Sequence, residues 1–186
     1  MRCHWKFWVI AFLIGCAGAP ITTYKQPELS KRYRSLIIYG LMSNWQEQSY
    51  LEDHLESQLA SRKVKTALAH DLLLPGITHQ SGEWEAALRS VSADAVLMVG
   101  IEGFGRMREG GPFDQSLGDY RNDSGQRYTW TMTARLWDAF TGNDVWIGRI
   151  ESSTSAHSGD LSLLWEGAMR VAEELIKQEI LDRDVE

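Results

Sequence analysis

The run Ala93-Asp94-Ala95-Val96-Leu97-Met98-Val99-Gly100-Ile101 constrains this chain more than any other stretch. Its apolar residues fall on both parities, so a strand built from it has no face to give to water. It must lie centrally in a sheet. The rest of the chain then has to supply strands to flank it and helices to cover it on both sides.

The flanking elements are legible from periodicity. Ser35–Leu41 reads as a buried strand. Asn44 and Glu47 have capping-box spacing, and Leu51, Leu55 and Leu59 follow at helical intervals. These define an amphipathic helix over about 46–61, with Glu52, Asp53, Glu56 and Arg62 on its other sides. Val64, Thr66 and Leu68 alternate with Lys63, Lys65 and Ala67, as a half-buried strand would. Beyond the Pro75-Gly76 break, Ser81 can cap a second helix in which Trp84, Leu88 and Val91 share a face. Residues 105–126 are glycine-rich and polar and read as a long loop. Tyr128–Trp137 and Val145–Thr154 then form a hairpin around Asp138-Ala139-Phe140-Thr141-Gly142-Asn143. Asp138 can cap that turn, and Gly142 can take a positive φ. A terminal helix spans about 160–181.

The expected order is β-α-β-α-β-β-β-α. It makes an α+β fold, a two- or three-layer α/β sandwich around a mixed sheet of about five strands. A chain of 186 residues suits one domain, placed at 31–182 with a tail at 183–186.

The amino terminus decides location. Arg2, His4 and Lys6 precede an eight-residue apolar core, Phe7–Ile14. Eight helical residues rise about 12 Å, against the roughly 30 Å of a bilayer's hydrocarbon, so the core cannot span it. Basic head, short core and small residues make a secretory signal over 1–15. Leu13-Ile14-Gly15-Cys16 resembles the lipobox of bacterial lipoproteins. That resemblance implies cleavage before Cys16 and a diacylglyceryl group on its thiol. Cys3 would leave with the leader, so the mature chain would keep no free thiol, consistent with an oxidising compartment. Loss of Arg2 and Lys6 takes the net charge from −6 to −8, which offers no attraction to anionic lipid and leaves anchoring to the acyl chains. Ala17 rather than Asp after the cysteine implies the periplasmic face of the outer membrane. Residues 16–30, with two prolines, read as a lipidated tether.

Two stretches carry a wider resemblance. Ala93-Asp94-Ala95-Val96-Leu97 matches an "ADA-apolar-apolar" strand entry, and Ala134–Trp146 matches an "L-x-D-x-x-T-G-x-x-x-W" hairpin. Together with the element order, over about 36–180, they resemble small envelope lipoproteins with a LpoB-like, DUF799-like or TolB-amino-terminal-like domain. That group also includes the curli-secretion lipoprotein. Members activate synthases, build secretion pores or dock to envelope complexes, and the resemblance supplies no catalytic residue.

A direct search for chemistry agrees. His54, His70, His79 and His157 lack H-x-x-x-H spacing, and no G-x-S-x-G occurs. Ser155, His157, Ser158 and Asp160 crowd into six residues and read as a helix cap. Gly100, Gly103 and Gly105 suit a bulge or close strand packing rather than a phosphate loop. The acidic balance excludes a nucleic-acid surface, and Lys31-Arg32-Tyr33-Arg34 reads as a solvated charge run. If Asp138 pairs Asn143, Arg135, Trp137 and Trp146 share an outward face as a cationic–aromatic patch, opposite Ala134, Leu136, Val145 and Ile147; the other reading is burial under the terminal helix or the 105–126 loop, and a slip of one residue would exchange the faces. Phe113 and Tyr120 of the long loop join the candidate contacts.

The expectation is a lipid-anchored periplasmic lipoprotein, not an enzyme and without metal or cofactor. It would serve as an interaction or assembly factor for another envelope component, with self-association as a variant. The alternative is an envelope module that binds a small molecule or glycan.

Overall fold

The computed structural model describes residues 21–182 apart from 28, 30, 75–76, 78, 109–125 and 155–160. Ten elements follow in chain order: β1 Ile21–Lys25, β2 Ser35–Leu41, α1 Trp45–Ala60, β3 Lys65–Leu68, α2 Ala69–Leu72, α3 Ser81–Val91, β4 Ala95–Arg108, β5 Gln126–Asp138, β6 Asp144–Thr154 and α4 Leu161–Lys177. The strands form one mixed sheet ordered β1-β6-β5-β4-β2-β3. The pairs β2–β3 and β2–β4 are parallel, and the other three are antiparallel.

The apolar run behaves as its composition requires. β4 lies between β2 and β5. Ala95, Leu97 and Val99 enter the main core. Val96 and Met98 enter a smaller cluster on the opposite face. The main core is closed by α1 through Leu51, Leu55 and Leu59, and by α4 through Leu164, Ala168, Val171 and Leu175. α3 closes part of the other face, setting Ala87 and Leu88 against Ile37 and Val96.

The α+β sandwich is thus as expected, with six strands and a short extra helix, α2. The added strand corrects the tether. Ile21–Lys25 pairs residue for residue with Trp146–Ile150, although its sequence has no obvious strand period. Backbone hydrogen bonds to the edge of β6 order this segment, and the β-favouring Ile21, Thr22, Thr23 and Tyr24 are a local signal that a search for period alone passes over. β4 runs to Arg108 and β5 begins at Gln126, so both ends of the expected 105–126 loop are strand, and 109–125 lie outside the described residues. Glu102 is the extra residue of a bulge between Ile101 and Gly103. A Cβ on Gly100 would approach Leu41 Cβ to 2.8 Å, so both the bulge and the close packing expected of these glycines are present.

Local capping follows the sequence with one shift. Asn44 caps α1, accepting from Gln46 N at 2.8 Å. α3 is capped by Gln80 rather than Ser81, since the Glu83 carboxylate reaches back to Gln80 N at 2.8 Å. Glu52 is not on a solvated side of α1. Fully buried, it accepts from Gly40 N at 2.8 Å, Gln48 Nε2 at 2.9 Å and His70 N at 3.0 Å, and lies 2.8 Å from His70 Nδ1. A buried carboxylate persists only with such saturation, and here it ties α1 to the end of β2 and to α2.

Gly148 tests the packing of β6. A Cβ there would fall 2.5 Å from the Trp146 ring and 3.3 Å from Ile21 Cδ1, and Trp146 is fully buried. Gly148→Ala is expected to cost about 1–3 kcal/mol by overpacking. Gly82→Ala, at a helical site with nothing within 4 Å, is expected to gain about 0.4–1 kcal/mol. Urea unfolding of both variants checks the pair.

Candidate functional site

The two stretches that carry the wider resemblance meet at one end of the sheet. Asp138 closes β5 and accepts from Phe140 N and Thr141 N, both at 2.7 Å, which shapes the turn to β6. Gly142 takes φ +71° there, as the turn requires. The other carboxylate oxygen of Asp138 accepts from Tyr33 Oη at 2.7 Å and Lys31 Nζ at 2.9 Å. Asp94 N donates to Ser35 O at 2.9 Å, and Asp94 O accepts from Ala139 N at 3.0 Å. Burial opposes ionisation of Asp138, but the donors from Tyr33, Thr141, Lys31 and Phe140 outweigh it and hold the carboxyl well below the usual carboxylate range. Burial, then the bond to Asp138, pushes the Tyr33 hydroxyl well above the usual phenol range.

The basic run is solvated as expected, with Lys31, Arg32 and Arg34 exposed, but each of the three is paired with an acidic partner. Lys31 pairs with Asp138, Arg32 with Glu179, and Arg34 with Asp182 at 3.0 Å. Tyr33 is fully buried and bridges to Leu181. These contacts join the start of β2 to the end of the chain.

The expected outward patch forms only in part: Arg135 and Trp137 share the face away from the main core, and Trp146 leaves it. Asp138 N donates to Asn143 O at 2.9 Å, and Trp137 pairs Asp144. The next rung joins Leu136 to Trp146, leaving Val145 as a bulged extra residue. One added residue exchanges the faces of everything after it. Trp146 turns into the main core, where its Nε1 donates to Gln178 Oε1 at 3.1 Å. Gln178 in turn donates to Thr23 Oγ1 at 2.6 Å, locking β1 to α4. Arg135 is exposed and paired with Asp144. Trp137 is half-buried on the same sheet face as Arg135, since their β4 partners Val96 and Met98 share that face. Cys16 with Leu13, Ile14 and Gly15, and the loop residues Phe113 and Tyr120, lie outside the described residues.

Trp137 borders a groove of about 410 Å³ on the partly covered sheet face, with Tyr39, Met98, His79 and Trp84. The Tyr39 and Trp84 rings meet edge to face at 5.0 Å, and burial followed by the Glu52 charge raises the Tyr39 pKa. Sequence periodicity assigned Trp84 to a helix face, and the open half of the groove arises because α3 covers only part of the sheet. A broader depression beside it holds Arg89, Asp94 and Phe140, the last 92 % exposed at the hairpin tip.

The histidines of the described residues are engaged with the chain itself. His54 Nδ1 lies 2.8 Å from Tyr50 O, His70 Nδ1 2.8 Å from Glu52, and His79 Nε2 2.9 Å from Leu74 O. Among the described residues no group of three or more His, Cys, Asp or Glu is placed to hold a metal, and no helix is long and apolar enough to cross a membrane.

No family model matches the sequence, and no curated protein matches it significantly. Solved structures share the fold. A variant PelC dodecamer from Paraburkholderia phytofirmans is 16 % identical, with TM-score 0.51, over 89 % of this chain and 99 % of that one. A PDZ domain protein from Parabacteroides distasonis is 7 % identical, with TM-score 0.50, over 88 % of this chain and 36 % of that one. A weaker likeness is to lipoprotein GNA1162 from Neisseria meningitidis, 16 % identical with TM-score 0.42 over 75 % of this chain and 98 % of that one.

Asp138→Asn keeps the shape of the turn and removes the charge. It is expected to cost about 1.5–3 kcal/mol near neutral pH, the range for hydrogen bonds to a charged group. Because the folded-state pKa is depressed, this contribution is present above the ordinary Asp value of about 3.9 and is lost as pH falls toward the folded value. The difference from wild type should therefore shrink below pH ~4 in urea unfolding. An undiminished difference at low pH would assign the loss to shape rather than charge.

Proposed function

We propose that this chain is a lipoprotein held by lipid on Cys16 at the periplasmic face of the outer membrane. There it acts without catalysis, as an assembly factor of the cell envelope that associates with its own copies. The observation that carries the reading is the lipobox Leu13–Cys16 placed directly ahead of a folded edge strand. Only Ala17–Pro20 separate Cys16 from β1. The five steps from Cys16 to Ile21 reach at most about 18 Å, so an anchored body sits close against the bilayer. The fold shared with a chain that assembles as a dodecamer supports self-association. The engaged histidines and the structural use of Asp94 and Asp138 support a role without catalysis.

A second reading is favoured by the groove of Tyr39, Trp84 and Trp137, whose aromatic rims suit stacking on a glycan or flat small molecule. A saturable shift of tryptophan fluorescence on titration with envelope glycan fragments, lost in Trp137→Ala, would establish it.

In cells grown with labelled palmitate, the wild type is expected to carry label and sediment with outer membranes. Cys16→Ser should lose the label and the membrane association. Crosslinking of intact cells is expected to yield multiples of the chain's own mass. An unmodified terminus, or monomer alone, would overturn the corresponding half of the proposal.

A further inference from the structure

The upper part of the sheet is not flanked as the lower part is. Pairing of β2 with β4 stops at Leu41↔Gly100, and pairing of β1 with β6 stops at Ile21↔Ile150. β4, β5 and β6 continue past both ends. The β4–β5 ladder runs on from Gly103↔Thr131 to Arg108↔Gln126, and the β5–β6 ladder from Thr131↔Glu151 to Tyr128↔Thr154. Six further residues of β5 beyond Met132 extend roughly 20 Å at about 3.3 Å per residue. The result is a three-stranded ribbon with β5 in the middle. Among the described residues, no strand pairs with Gly103–Arg108 or with Glu151–Thr154 on the sides away from β5.

Unpaired edges of this length are templates for strand addition, and proteins blunt them with proline, lysine or brevity. Neither edge contains proline or lysine, and the charges they carry are opposite in sign, Arg106 and Arg108 on one and Glu151 on the other, so they oppose edges of the same kind but not the pairing of one with the other. The two edges also match each other. They stand at the same height, since Gly103 and Glu151 share a rung through Thr131, and Arg106 and Thr154 share one through Tyr128. They lie on opposite sides of the ribbon. β4 and β6 run in the same direction, both being antiparallel to β5.

We infer that the occupant of these edges is a second copy of this chain, with β6 of one copy adding in parallel to β4 of the next. The inference rests on the self-assembly proposed above and names its surface. Such a contact is heterologous: each copy gives one edge and accepts on the other, so the series closes into a ring when the rotation per step allows. It keeps every copy the same way up, as lipid anchors in one leaflet demand. Pairing β4 with β4, or β6 with β6, about a twofold axis across the strands would invert one copy. The amino end of β1 lies at this same end of the sheet, so the ring would form beside the membrane.

Full-length lipoprotein in detergent tests this by disulfide trapping, since a lipidated Cys16 leaves no competing thiol. Arg106→Cys is combined in turn with Ser152→Cys, Ser153→Cys and Thr154→Cys to scan the register. Each variant is oxidised, run without reductant, and weighed in parallel by mass photometry. At least one double variant is expected to give a ladder of covalent multimers, lost in both of its parent single variants. Assembled particles with no ladder from any combination would overturn the edge assignment and leave self-assembly standing. Monomers throughout, with an unchanged thermal midpoint, would overturn both.

Discussion

The buried carboxylate of Asp138 is the interaction on which the architecture most depends. It gathers a turn, the entry to β2 and the strand β5 at one point, through Tyr33, Lys31, Phe140 and Thr141. Asp94 beside it joins β2, β4 and the turn through its backbone. A charge taken out of water has to be surrounded by donors, and these donors come from segments about a hundred residues apart in sequence. The requirement therefore aligns one end of the sheet. The resemblance in the Ala-Asp-Ala entry and the Asp-x-x-Thr-Gly turn is a resemblance in this joint, which is why those residues speak to fold rather than to activity.

From that joint the bulge at Val145 sets what each face of β6 presents. Trp146 is turned inward, where Gln178 receives its ring N–H and holds Thr23 of β1. Removing a buried tryptophan side chain from such a place costs roughly 3–5 kcal/mol. This stabilisation reaches a strand that local sequence left as a tether. Ordering of β1 in turn leaves only Ala17–Pro20 between Cys16 and the folded body.

The opposite end of the molecule has the reverse character. Its three-stranded ribbon outruns β1 and β2, and its hydrogen-bonding edges find no partner among the described residues. A joint saturated at one end and a ribbon left open at the other are what the proposed self-association would use. The half-covered aromatic groove lies on the face of the sheet away from α1 and α4, so strand addition at the ribbon edges and binding in the groove do not compete for the same atoms.

Residue order alone determined the central strand, the helices α1, α3 and α4, the turn chemistry of Asp138 and Gly142, and a mixed α+β sheet, because these follow from period and from local hydrogen bonds. The lipobox is an equally local pattern and belongs to the proposed function. Tertiary structure decided the rest. Glu52 carries the letter of a solvated helix face, yet Gly40, Gln48 and His70 converge to bury it. Trp146 exchanged faces because a single extra residue in a ladder has no signature in one strand's alternation. β1 exists because β6 offers it an edge. Each of these depends on a partner far away in the chain, and hydrophobic period, which is a local quantity, carries no record of such partners.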